Sequence, residues 1–143
     1  MEQPAGLTVA EWAWIAGFFD GEGCVRITLE NVQKRKSRHS LLYASISNTD
    51  RRPLDWIKDQ CGGYLHPVGS RLKVCWQLEL GSARAERFLR AIRPYLQVKD
   101  MQVDIALKFR ETFDPHYPKK LGLTSDILAR REELRLAIAA LKH

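Results

Sequence analysis

Residues 12–19, WAWIAGFF, are apolar or small at every position, and Thr8 and Glu11 stand just ahead of them in capping-box spacing. This predicts a helix that starts after Thr8 and runs through Phe19 until Gly21 and Gly23 end it. A helix apolar on nearly every side must be buried all round. Ala13, Ala16, Gly17 and Asp20 recur at i, i+3, i+4, i+7, so one face has almost no side-chain bulk and invites close approach by another backbone. The period then drops to two. Residues 24–30 alternate Val25, Ile27 and Leu29 with Arg26, Thr28 and Glu30, and residues 39–47 place Leu42, Ala44 and Ile46 opposite Tyr43, Ser45 and Ser47. A polar, basic loop with Lys34, Arg35, Lys36 and Arg38 joins these two half-buried strands.

The pattern repeats. Thr49 or Asp50 caps a second helix with Pro53 in its first turn, Leu54, Ile57 and Cys61 inward, and Gly62-Gly63 as its stop. A short strand over 64–68, a turn at Gly69-Ser70 and a strand over 71–80 follow. In that last strand Leu72, Val74, Trp76, Leu78 and Leu80 alternate with Arg71, Lys73, Cys75, Gln77 and Glu79. Ser82 caps a third helix, Pro94 interrupts it, a further helix runs from about Tyr95 to Phe113, and a last one from about Thr124 aligns Ile127, Leu134, Ile138 and Leu141. The predicted class is α+β: a four-stranded antiparallel sheet in the order αββαββα with added C-terminal helices on one face, over one domain spanning 1–143. The other sheet face is expected to be open, polar and basic.

Charge sharpens this picture. With 23 Lys+Arg against 17 Asp+Glu the net charge is +6 and the pI about 9.4, which fits a polyanionic partner. Outward Arg26, Thr28, Glu30, Tyr43, Ser45, Arg71, Lys73, Cys75 and Gln77, with the basic loop, form a surface that can follow a nucleic-acid groove. Three cysteines, Cys24, Cys61 and Cys75, lack zinc spacing and do not pair evenly, so a reducing, intracellular setting is expected, in cytoplasm or an organelle matrix. No run is long enough to span a bilayer and no basic leader opens the chain, so neither a membrane nor a signal segment is expected. Trp12, Trp14, Trp56 and Trp76 read as core. His39, His66 and His116 have no metal spacing and receive no site.

The segment IAGFFDGEG, Ile15 to Gly23, resembles the nine-residue signature of the LAGLIDADG homing endonucleases. SNTDRRPLDWIKDQCGG, WQLELGSARAERFLRAIRPYLQVKDMQVDIALKF and REELRLAIAALKH resemble later segments of that family in the same order, so the resemblance covers nearly the whole chain. It implies a site-specific double-strand DNA endonuclease of the single-motif, homodimeric type, a mobile-element protein encoded by an intron, an intein or a free-standing gene. Such an enzyme hydrolyses both strands across the minor groove and leaves short 3′ overhangs. The motif helices would meet at the two-fold axis through Ala13, Ala16, Gly17 and Asp20. Glu22, with the Gly21 carbonyl, falls at the metal-binding position; Mg²⁺ is the implied cofactor, and Ca²⁺ is expected to support binding without cleavage. Lys99 falls at the position of a lysine near the scissile phosphate, and Arg51 and Ser47 near positions that order water, although Ser47 is short for that task. Asp20 is expected to hydrogen-bond near the helix end or across the dimer rather than ligate metal. The rival reading is a binder on the same scaffold, either an RNA maturase or a DNA-binding regulator. No small-molecule substrate is implied.

Overall fold

A computed structural model describes residues 6–32, 37–114, 116–117 and 124–142. The elements run α1 (Val9–Glu22), β1 (Gly23–Val32), β2 (Ser37–Asn48), α2 (Arg52–Cys61), β3 (Tyr64–Ser70), β4 (Lys73–Gly81), α3 (Ser82–Ile92), a 3₁₀ turn (Arg93–Tyr95), α4 (Asp100–Glu111) and α5 (Thr124–Ala140). The four strands form one antiparallel sheet in the order β1-β2-β4-β3. The inward residues of its strands pack with the helices in one core, so the α+β expectation holds.

The capping box forms as predicted: Glu11 N–H donates to Thr8 Oγ1 at 3.1 Å and Thr8 N–H to Glu11 Oε1 at 3.0 Å. Of the two glycines, Gly23 ends the helix and Gly21 does not. The helix continues through Gly21 to Glu22 and ends where Gly23 enters the first strand, because Gly23 adopts extended backbone while its N–H still bonds the Phe19 carbonyl. Trp12, Ile15, Ala16 and Phe19 turn into the core, with Phe19 edge-on to Phe88 at 5.7 Å. Each large side chain so buried contributes about 1.5–3 kcal/mol. Trp14 departs from the expectation: it is half exposed, stacked on Phe18 at 5.2 Å and edge-on to Trp56.

Strand alternation is as read for Val25, Ile27, Leu42, Ala44, Ile46, Leu78 and Leu80, all buried. The second hairpin turns later than expected, at Arg71-Leu72, with Ser70 paired to Lys73. Gly69 stays in the strand at φ +97, and a Cβ there would meet the Lys73 carbonyl at 2.8 Å, so it serves close strand approach rather than the turn. Leu72 is consequently at the tip and almost wholly exposed, not inward, and Arg71 lies in the turn rather than on the sheet face.

Helix α3 presents Ala85, Phe88, Leu89 and Ile92 to the core, as its period requires. Gly81, not Ser82, is its N-cap. After Pro94 the chain makes no immediate helix; α4 begins only at Asp100, for a reason given by the site below. Arg93 holds Asp104 through two contacts of 2.5 and 2.9 Å, which keeps the Asp104 carboxyl below its usual range. On α5, Leu134 and Ile138 are buried, and Arg131 bonds Thr112 while lying over the Phe113 ring, which docks this helix on the end of α4. Cys61, the last residue of α2, is partly buried against the core, and burial pushes its thiol up to about 11.

Candidate active site and nucleic-acid interface

The last turn of α1 ends in carbonyls with no intrahelical donor and carries no basic residue of its own. Both deficits are met from a segment almost eighty residues away. The Asp20 carboxylate accepts the backbone N–H groups of Gln97 (2.8 Å), Val98 (3.2 Å) and Lys99 (2.9 Å), and Lys99 Nζ donates to the Asp20 carbonyl at 2.6 Å. The exchange places an anion at the start of α4 and a cation at the end of α1, each favourable with the helix dipole it faces. It also explains why α4 starts late, since residues 97–99 must present three N–H groups to one carboxylate. Asp20 therefore bonds within its own chain, near the helix end.

This clamp leaves Glu22 on the outside. Its carboxylate is exposed at the final residue of α1, with no hydrogen bond or ion pair among the described residues. Lys99 is fixed two residues upstream of it and lines a cleft of about 320 Å³ with Gly23, Cys24, Gln102, Leu141 and Lys142. Lys142 Nζ approaches Cys24 Sγ at 3.4 Å, bringing a second cation to the same edge. No group of three or more His, Cys, Asp or Glu able to hold a metal is present among the described residues. Gly21 and Glu22, the last two residues of α1, are both exposed at this end of the helix.

The remaining candidates are less closely drawn in. Arg51 donates to Asp55 through Nε (3.1 Å) and Nη2 (3.2 Å) and lies 4.4 Å over the Trp76 ring, so its guanidinium is committed on the helix side. Ser47 sits on the central strand β2, opposite Gln77. Along α1, Ala13, Gly17 and Gly21 are exposed, whereas Ala16 is fully buried in the chain's own core and leaves the open face. That open stripe has room: a Cβ at Gly17 or Gly21 meets nothing within 4 Å.

On the sheet face away from the helices, Arg26, Thr28, Tyr43, Cys75 and Gln77 are partly accessible and Lys73 exposed. Ser45 is not available: it is 3 % exposed, enclosed between its neighbours Cys24 and Glu79. Thr28 Oγ1 is 3.5 Å from the Leu41 carbonyl. Lys34, Arg35 and Lys36 lie outside the described residues; Glu30 and Arg38 fall on paired backbone in β1 and β2, but their side chains lie outside the described set. Two residues given no role by sequence join this face. Glu79 lies between Arg26 (3.5 Å) and His66 (3.6 Å), and His66 stacks on Tyr64 at 4.8 Å. The available signal was a lone acid among the outward positions of β4.

No protein-family model matches the chain. It is 31% identical over 102 residues to the DNA endonuclease I-CreI of Chlamydomonas reinhardtii, a match spanning 68% of this chain and 61% of that relative's length. The chain is thus similar to a homing endonuclease in sequence, over somewhat less than two thirds of that relative's length. Solved LAGLIDADG enzymes carry the same fold: homing endonuclease I-CvuI, determined with DNA targets, superposes with a TM-score of 0.77 at 19% identity over 93% of this chain and 82% of its own. The archaeal intron-encoded I-Vdi141I, complexed with DNA, gives 0.77 at 16% identity over 94% and 85%. The stretch that resembles the LAGLIDADG signature runs along α1, whose final residue is Glu22. No described helix is long and apolar enough to cross a membrane.

Proposed function

We propose that the protein is a site-specific double-strand DNA endonuclease that acts as a homodimer and depends on a divalent cation, Mg²⁺ by choice. The observation that carries this reading is Glu22: an unpaired carboxylate at the exposed end of the motif helix, beside a lysine that the Asp20 clamp fixes in place. A second copy packed on the Ala13, Gly17 and Gly21 stripe would bring its own Glu22 to the same axis, completing a set of oxygens that one chain lacks. Two carboxylates brought together repel unless positive charge lies between them, so the pair recruits cations. A Mg²⁺ bound by Glu22 and the Gly21 carbonyl would supply Lewis acidity and an acidified water. Lys99 would stabilise charge on the scissile phosphate. Water adds to phosphorus, the bond to the 3′ oxygen breaks, and cuts across the minor groove leave short 3′ overhangs. The basic sheet face follows the adjacent DNA groove, and the protein works in whichever compartment holds its target.

The test measures binding and cleavage of one selected duplex by wild type and Glu22→Gln, in Mg²⁺ and in Ca²⁺. The amide keeps the shape but loses the charge, so cleavage should fall by roughly a hundredfold or more while binding persists. Wild type in Ca²⁺ should bind without cutting. Cleavage by Glu22→Gln at the wild-type rate overturns the assignment. A wild type that binds a specific site and never cuts it reassigns the chain as a regulator.

A further inference from the structure

Glu79 is an oddity on a basic face. Its side chain is 23 % exposed, held in a band that crosses all four strands: Tyr43, Arg26, Glu79, His66 and Tyr64. Arg26 lies over the Tyr43 ring at 5.0 Å and reaches Glu79 Oε1; His66 Nε2 reaches Oε2 from the other side. Strand register fixes this arrangement, with Arg26 opposite Tyr43 and Tyr64 opposite Glu79. The Tyr43 and Tyr64 rings pack against Arg26 and His66.

The two contacts to Glu79, 3.5 and 3.6 Å, are long. Elsewhere the same molecule closes such pairs fully, with Arg110 on Glu86 at 3.0 Å and Arg93 on Asp104 at 2.5 and 2.9 Å. Arg26 and Glu79 are thus aligned but unsaturated. Arg26 retains most of its donor fork, and the carboxylate uses two of its roughly four lone-pair sites.

We propose that Arg26 and Glu79 act as one unit that reads a single G·C base pair in each half-site, Arg26 on guanine and Glu79 on cytosine. In the major groove a G·C pair shows two adjacent acceptors, guanine N7 and O6, followed by one donor, the cytosine N4 amine. A guanidinium fork beside an acceptor-only carboxylate is the complement of that series. An A·T pair alternates acceptor, donor, acceptor, so it sets a donor against the fork and an acceptor near the carboxylate. Glu79 also repels phosphate, which disfavours any register in which the sheet rides on the DNA backbone at this point. The inference rests on the DNA reading above and adds base identity to it.

The experiment selects bound duplexes from a randomised DNA library in Ca²⁺, using the full chain as wild type, Arg26→Ala, Glu79→Ala and the charge swap Arg26→Glu with Glu79→Arg. Wild type should show one position per half-site with a G·C preference of roughly tenfold or more. Both alanine variants should flatten that same position and leave the others intact. The swap keeps the ion pair and should invert the preference to C·G there, which a purely sheet-stabilising bridge would not do. Unchanged preferences in the alanine variants overturn the base-reading role while leaving the endonuclease proposal standing. A wild type that enriches no sequence overturns both.

Discussion

Gly17→Leu separates the intrinsic stability of one chain from the association of two. Gly17 lies within α1, and nothing comes within 4 Å of the place a Cβ would occupy. Within one chain, leucine there meets no clash and replaces a poor helix former with a good one, a gain of about 0.5–1 kcal/mol. In a dimer packed on this stripe the result reverses. Helix axes in contact lie about 8–10 Å apart, and only small residues allow the closest approach. Overpacking costs about 1–3 kcal/mol per site, and the two-fold axis doubles it to about 2–6 kcal/mol per dimer. At a factor of ten for each 1.4 kcal/mol, association weakens roughly thirtyfold to twenty-thousandfold. Sedimentation velocity over a dilution series reads the association constant, and thermal melting under dissociating dilution reads the single chain. The expected result is a monomer that melts at or above the wild-type temperature and has lost cleavage. An association constant equal to wild type, or a wild type that stays monomeric at every concentration, refutes the reasoning.

Asp20→Ala removes the acceptor of three backbone N–H groups and frees residues 97–99. Because those groups are partly hydrated, the loss should be about 2–4 kcal/mol, below the full value for three charge-assisted bonds. That lowers the melting temperature by roughly 5–15 °C, and calorimetry showing no change would remove the clamp from the account. Gly23→Ala places a Cβ 2.4–2.6 Å from the buried Phe19 ring. It should cost about 1–3 kcal/mol in urea unfolding, with partial recovery when combined with Phe19→Leu; strict additivity of the two would show that they do not touch.

Local chemistry made much of this molecule legible in its sequence. The Thr8–Glu11 box, the two-residue alternation of β1 and β2, the inward face of α3 and the glycine pair after α2 each depend on neighbours within a few positions, so the chain states them directly. Helix α1 is the instructive failure. It is apolar all round, and a segment without polar contrast contains no record of which side will be covered. Only packing against Phe88 and the strands assigned Ala16 to the interior and left Ala13 and Gly17 outside. The sequence predicts hydrogen bonds from Asp20 near its helix end or across a dimer, but its partners lie 77 to 79 residues downstream and no local pattern names them. The same holds for Glu79, whose neighbours Arg26 and His66 come from two other strands. Periodicity is a property of neighbours along the chain and determines the elements. Which side chains meet, and which carboxylate is tied up or left free, follows from burying those elements together.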